Sequence, residues 1–305
     1  MTPIRELAVE LDAVAQDRAG GVRQVAADYF ELTKPKVQLL LLLTTITTMY
    51  VAGDPSVGLV AVTVLGGYLS AGGAGAVNHY WDRDIDGAMK RTASRPVPSG
   101  RISPRAALRF GLGLQVASFV LLAGLVNVLA AFLALGGFVW YVGVYTMWLK
   151  RRTPQNIVIG GAAGAVPPLV GWAAVTGGVA PVALYLFAIV FFWTPPHFWA
   201  LSLLMKDEYA AVKVPMMPVV HGEAETRRQI LLYAVLLMIL TLLPVAFSYF
   251  GIVYAICAAA LGGAFIVRAY DLYRQADRAA ALRTYLYSLA YLALLFAAMV
   301  LDARV

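Results

Sequence analysis

Nine apolar runs almost free of charge recur along nearly the whole chain. They fall approximately over 37–52, 57–77, 106–126, 128–149, 157–175, 179–205, 230–249, 252–267 and 285–301. Each is close to the ~17–25 residues with which a helix crosses a bilayer. Backbone inside hydrocarbon must satisfy its own hydrogen bonds, so the runs predict an all-α polytopic membrane protein. Composition agrees, with 61% hydrophobic against 13% charged residues and a mean hydropathy of +0.74, a balance that excludes an ordinary soluble enzyme. The one cysteine, Cys257, lies in an apolar run and excludes an intramolecular disulfide or a cysteine-based metal cluster.

The charges report sidedness. Of 24 lysines and arginines, five precede the first run, seven lie from Arg83 to Arg109, three from Lys150 to Arg152, four from Lys206 to Arg228 and four from Arg268 to Arg283. Only Arg304 is left over. Nine crossings put all five groups on one side, which the positive-inside rule makes the cytoplasm, with the N-terminus there and the C-terminus opposite. The net charge of +7 therefore reflects topology and not nucleic-acid binding. Residues 1–30 mix Glu6, Glu10, Asp12, Asp17 and Asp28 with Arg5, Arg18 and Arg23 and contain no apolar signal core, so they are expected to form a cytoplasmic polar tail before a single nine-helix domain over 31–305. The lack of an Arg/Ser-rich, acid-poor leader favours a bacterial plasma membrane over a mitochondrial inner membrane.

Apart from Asp54 and Asp302, the acids share the cytoplasmic side, which confines charge-dependent chemistry to the loops after the second and sixth runs. Those loops occupy equivalent places in two four-helix units, and the similar phrases Lys34-Pro35 and Thr153-Pro154 before each unit suggest a duplication with a shared site. The first loop begins Asn78-His79-Tyr80-Trp81-Asp82-Arg83-Asp84-Ile85-Asp86. A spacing of four sets Asn78, Asp82 and Asp86 along one helical stripe, with Asp84 off it. Oxygen-only ligands of this kind suit Mg²⁺ completed by substrate phosphates, and Lys90, Arg91 and Arg95 follow as candidate phosphate partners. In the second loop Asp207 and Glu208 are candidates for a second metal site facing the first. Within the sixth run, Trp193-Thr194-Pro195-Pro196-His197-Phe198-Trp199 sets two helix-breaking prolines beside a histidine nine residues before Lys206, about 13 Å deeper at ~1.5 Å per residue. The aromatic flanks suit a flat hydrophobic ligand or a passing carbocation.

With Asn78-x3-Asp82-x3-Asp86 on a polytopic chain, the sequence resembles the intramembrane prenyltransferases of the UbiA superfamily. The stretches Asn78-His79-Tyr80 through Arg95-Pro96, Lys150 through Thr153, Pro195-Pro196-His197-Phe198-Trp199 and Pro215-Met216-Met217-Pro218 resemble its haem-modifying branch, and the likeness covers roughly residues 30–300. It implies nine helices around a central cavity, Mg²⁺ and diphosphate at the cytoplasmic mouth, farnesyl diphosphate as donor and haem b as acceptor. The implied reaction forms haem O by adding a hydroxyethylfarnesyl group at one vinyl position and releases diphosphate, with a haem A synthase or oxidase assembly protein as a downstream partner. By the same resemblance Asn78, Asp82 and Asp86 are catalytic and bind metal, Lys36, Lys90, Arg91, Arg95 and Lys150 hold diphosphate, and His197, Trp199 and His79 contact haem. Many superfamily members carry a second Asp-x3-Asp, whereas here Leu203 and Ala211 flank Asp207 at that spacing, and Glu208 beside Tyr209 is favoured as the second acid.

Two other classes fit less well. The CDP-alcohol phosphotransferase signature is imitated from Asp86-Gly87 to Gly100, but Pro104 and Leu108 stand where its last carboxylates belong. A secondary transporter would need ionisable groups along a path through the membrane, and His197 is the one such group there.

Overall fold

A computed structural model describes residues 21–305, with residues 1–20 outside the described part. Among the described residues nine helices are long and apolar enough to span a membrane. They are α1 (Pro35–Ala52), α2 (Val57–Trp81), α3 (Pro104–Leu125), α4 (Val128–Leu149), α5 (Asn156–Thr176), α6 (Pro181–Leu204), α7 (Gly222–Ala246), α8 (Ile252–Gln275) and α9 (Arg278–Asp302). Successive helices pack as neighbours, and α9 returns to α6 and α1, so the chain closes into a ring whose halves also meet through α1 and α5.

Local sequence explains where the helices begin. Ser56, Ser103, Asn127 and Asp277 each accept a hydrogen bond from a backbone N–H in the first turn of the helix that follows, a cap worth about 1 kcal/mol. Pro104 and Pro181 occupy first-turn positions where no N–H is needed. Asn127 also donates to the Ala173 carbonyl and ties the start of α4 to α5 at the end of the bundle away from Lys150. There the α9 carboxylate Asp302 accepts from the N–H groups of Gly251 and Tyr254 and so caps α8, while Arg304 pairs with Asp54.

Between lipid-bathed helices, packing relies on close backbone approach, which small residues permit. A Cβ on Gly73 would lie 2.6 Å from the Gly111 carbonyl oxygen, and one on Gly111 would lie 2.7 Å from that of Gly73, so α2 and α3 cross backbone to backbone. At the junction of the two halves, a Cβ on Gly171 of α5 would lie 2.5 Å from the Thr45 carbonyl oxygen of α1.

The structure shifts several expected boundaries. Helices α7, α8 and α9 run to Gly222, Gln275 and Arg278, beyond the apolar runs at 230, 267 and 285, because charged residues leave hydrocarbon without leaving the helix. The expected boundary at residue 30 falls inside a helix over 21–32 that docks on the body. Its Asp28 is buried and accepts from Arg101 at 2.9 Å, Tyr29 packs edge-on against Phe110, and Leu32 is buried with Ala76, Val97, Ile102 and Ala107. At Pro195 and Pro196 the helix α6 continues unbroken, and the Thr194 hydroxyl donates to the Val190 carbonyl nearby.

Candidate active site

The end of α2 carries the stripe expected from the four-residue spacing. The helix yields at Asp82 and resumes as the short helix Arg83–Ala88, but the amides of Asp82 and Asp86 still donate to the carbonyls of Asn78 and Asp82, which keeps the three side chains in register. Asp82 and Asp86 are almost fully buried, whereas the Asp84 side chain is 60% exposed. Arg151 grips Asp84 with two hydrogen bonds of 2.7 Å and holds its carboxyl below the usual range.

Each of the three side chains of the stripe accepts a hydrogen bond from a basic residue. Asn78 Oδ1 accepts from Lys34 Nζ at 2.5 Å, Asp82 Oδ2 accepts from Lys150, and Asp86 Oδ2 accepts from Arg95 at 2.7 Å. The Asn78 amide nitrogen donates to Asp82 at 2.7 Å and to Thr146 at 3.1 Å, fixing the orientation of its oxygen. Arg151 also lies 3.5 Å from Asp82 Oδ1.

Two backbone devices deliver these cations. Lys34 sits in the left-handed region, with φ 54° and ψ 53°, directly before Pro35, and this turn aims it inward from the junction of the 21–32 helix and α1. Gly75 leaves room for it: a Cβ there would lie 3.0 Å from the Leu32 carbonyl oxygen. Burial lowers the Lys34 ammonium to about 7, with neighbouring Arg95 and Lys150 adding to the effect. Over Trp140–Leu149, α4 adopts π-helical winding, which ends where the Lys150 amide donates to the Tyr145 carbonyl. Such winding is rare and concentrates at functional sites. Here it presents Thr146 and Lys150 together to the stripe.

Lys34 is the inward cation that sequence reasoning missed. Its signal was the Lys-Pro step, but the residue chosen there, Lys36, is exposed. Lys90 and Arg91 are exposed as well and make no hydrogen bond among the described residues, while Lys150 and Arg95 stand where expected.

The second loop reaches the first through an apolar cluster in which Ile85 and Met89 pack with Tyr209, Val214 and Met216. Burial pushes the Tyr209 phenol up. Asp207 is exposed, whereas Glu208 is half-buried and its buried Oε2 has no partner among the described residues. Among the described residues no three Asp, Glu, His or Cys side chains converge, so Asp207 and Glu208 do not form a cage with Asp82 and Asp86. Cations, and not a second carboxylate cluster, balance the stripe.

His197 is held by three neighbours. Its Nδ1 lies 2.7 Å from the Ser288 hydroxyl, and its ring stacks on Trp193 at 4.2 Å and on Tyr285 at 5.0 Å. Trp199 belongs elsewhere. Two residues further along the helix it faces the opposite way, into a core with Met217, Ile230 and Ala234, and it packs edge-on against Tyr233. Trp193, which shares the four-residue stripe of His197, is the aromatic at that position. His79 is buried next to Asn78 in the chain, and both its ring nitrogens lack a partner among the described residues.

A ring of nine helices closed around an Asn-x3-Asp-x3-Asp stripe and its basic partners defines an intramembrane prenyltransferase scaffold. The chain belongs to the UbiA prenyltransferase family, whose pattern matches residues 41–298. Within it, the chain is 57% identical over 282 residues to a protoheme IX farnesyltransferase of Chloroflexus aurantiacus, covering 92% of this chain and 48% of that protein. It is also 52% identical over 292 residues to a protein of the same name from Deinococcus radiodurans, covering 91% and 93% of the two chains. The chain thus spans about half the length of the first of these relatives and nearly all of the second. Among solved structures, a digeranylgeranylglyceryl phosphate synthase matches with a TM-score of 0.75 at 20% identity, over 92% of this chain and 99% of that one. A UbiA homologue from Archaeoglobus fulgidus bound to DMAPP and Mg²⁺ matches at 0.67 and 17%, over 89% and 99%. At these identities the two structures establish the shared fold.

Proposed function

We propose that this protein transfers the farnesyl group of farnesyl diphosphate to a vinyl group of haem b, forming haem O and releasing diphosphate, in a bacterial plasma membrane with its N-terminus in the cytoplasm. The observation that carries the metal-dependent half is the buried stripe Asn78-Asp82-Asp86 with a cation on each ligand. The acceptor follows from the 50–57% identity to proteins named protoheme IX farnesyltransferase.

The donor set of Asn78, Asp82 and Asp86 fits Mg²⁺, being oxygen-only, buried and aligned on one stripe. Asp82, Asp86 and the Asn78 carbonyl would hold the ion, which when bound supplies Lewis-acid stabilisation to the departing diphosphate. Lys34, Lys150 and Arg95 donate to the diphosphate oxygens as the allylic C–O bond breaks and negative charge gathers there. Tyr141 and Tyr145, whose rings lie 5.5 Å apart one turn inward, offer aromatic faces to the allylic cation, and the Tyr141 ring already lies 6.0 Å from the Lys34 ammonium. The vinyl π pair of the acceptor forms the new C–C bond. The cation left beside the porphyrin takes up water and loses a proton to give the hydroxyl, so the chemistry asks for no nucleophilic side chain.

Purified protein incubated with haem b, farnesyl diphosphate and Mg²⁺ should yield a porphyrin heavier by one farnesyl and one hydroxyl group. Asp82→Ala should slow the transfer by about 10²–10³ or more, as removal of such electrostatic stabilisation does, and Asp84→Ala should be far milder. Prenylation of 4-hydroxybenzoate with haem left untouched would overturn the acceptor assignment.

A further inference from the structure

A cleft of about 390 Å³ opens between the ends of α2 and α4, lined by Tyr80, Arg83 and Asp84 on one side and by Met147, Arg151 and Arg152 on the other. Along the π-helical end of α4, Thr146 and Lys150 turn to the stripe. Met147 and Trp148, which stand between them, are 43% and 54% exposed. Arg151 and Arg152 follow this apolar pair at a spacing of four, one turn nearer the charged end of the bundle. The wall of the cleft thus passes from hydrocarbon-facing side chains to guanidinium groups where the span ends, the level at which a bilayer sets its headgroups.

The charge in the cleft is unbalanced. Arg151 is engaged by Asp84 through two hydrogen bonds of 2.7 Å, which neutralises the one carboxylate there. Arg83 donates one N–H to the Tyr80 carbonyl at 2.7 Å and lies 4.9 Å from the centre of the Tyr80 ring, so its guanidinium is held at the rim with other N–H groups unused. Arg152 is exposed and its side chain makes no hydrogen bond or ion pair among the described residues. Two positive charges therefore face the cleft without a counter-charge. Guanidinium groups match phosphate oxygens with paired N–H donors, and basic pockets between helices at a membrane surface suit anionic headgroups.

We propose that this cleft binds an anionic phospholipid, its headgroup phosphate accepting from Arg83 and Arg152 and its acyl chains lying along Met147 and Trp148. A soluble phosphate would satisfy the arginines and leave the apolar pair uncovered, whereas a lipid covers both. A zwitterionic lipid would bring its own cation to the two arginines.

The test is native mass spectrometry of the full chain released from nanodiscs made of equal parts phosphatidylglycerol and phosphatidylcholine. The wild type should retain one phosphatidylglycerol in preference to phosphatidylcholine by about tenfold or more, the value of a charge-assisted hydrogen bond. Replacing Arg83→Gln together with Arg152→Gln should abolish that preference. Replacing Arg274→Gln together with Arg283→Gln, which removes the same charge from exposed positions at the same end of α8 and α9, should leave it intact. Equal retention of the two lipids by the wild type would overturn the proposal, as would equal loss in both double variants, which would report bulk surface charge. Displacement of the retained lipid by inorganic diphosphate would assign the cleft to a soluble phosphate and overturn it as well. The wild-type comparison decides even where a variant does not fold.

Discussion

His197 is a lone imidazole in a membrane-spanning helix, held on three sides by Ser288, Trp193 and Tyr285. A lone imidazole among apolar residues must satisfy at least one ring nitrogen or bear a penalty of about 1–3 kcal/mol. Ser288 on α9 does this for Nδ1, and the Trp193 and Tyr285 rings fix the plane of the imidazole, while Nε2 forms no hydrogen bond among the described residues. Fixing one nitrogen of an imidazole through a hydrogen bond sets the tautomer and leaves the other available for iron or, when protonated, for a propionate. His197→Ala should therefore weaken binding of haem, read by its absorbance on titration, and leave diphosphate binding nearly unchanged, since the stripe lies at the mouth of the bundle. Coordinated loss of both affinities with a lowered melting temperature would make the histidine a structural one. The sequence singled out His197 by the Pro-Pro-His phrase, but it pointed to Trp199 as the accompanying aromatic where the structure sets Trp193. Helical phase decides that: a separation of four residues shares a face, whereas two residues do not.

At the scale of elements, α2, which ends in the stripe, packs backbone to backbone on α3. Gly73 and Gly111 face each other so closely that neither tolerates a Cβ without backbone movement, and further along from Gly73 toward the end of α2 stand Asn78 and Asp82. Forcing the helices apart would tilt the stripe away from Lys150. Gly111→Ala should lower the thermal midpoint in detergent, since overpacking at a backbone contact costs about 1–3 kcal/mol. It should also reduce prenyl transfer more than an alanine at Gly113, where a Cβ meets open space. A Gly111→Ala protein that matched the parent in both measurements would show that the crossing relaxes freely. The glycines were visible in the sequence, yet their pairing was not, because which small residue meets which backbone is fixed by helix rotation and tilt.

For the whole molecule, the partition of 23 cations to one side predicts that Gly100 and Glu223 share a compartment and that Gly178 faces the other. Cysteines introduced at these positions in a Cys257→Ser background should be labelled by an impermeant reagent accordingly. Labelling of Gly100 and Glu223 from opposite sides would break both the topology and the shared site. The outer face contributes differently. The Arg304–Asp54 pair is exposed, and Arg304→Ala should change stability by less than about 1 kcal/mol, as solvent-screened pairs do.

The sequence by itself determined the nine spans, the one-sided distribution of the loop charges and the alignment of Asn78, Asp82 and Asp86 on one stripe. These depend on quantities local to the chain: hydropathy summed over a window, the sign of loop charges, and a four-residue period that keeps Asn78, Asp82 and Asp86 in line even across the break at Asp82. Only the tertiary structure decided which basic residues serve that stripe. Lys36, Lys90 and Arg91 looked equivalent to Lys34, Lys150 and Arg95 in composition and spacing, but the first three end at the surface. What separates the two sets is a left-handed backbone turn at Lys34, a change of helical winding before Lys150, and the fold of the loop that returns Arg95 to Asp86. The docking of the 21–32 helix and the orphaned oxygen of Glu208 belong to the same class. Each depends on where a side chain meets a distant element, and Coulomb and desolvation energies in a buried site depend on distances that no local pattern encodes.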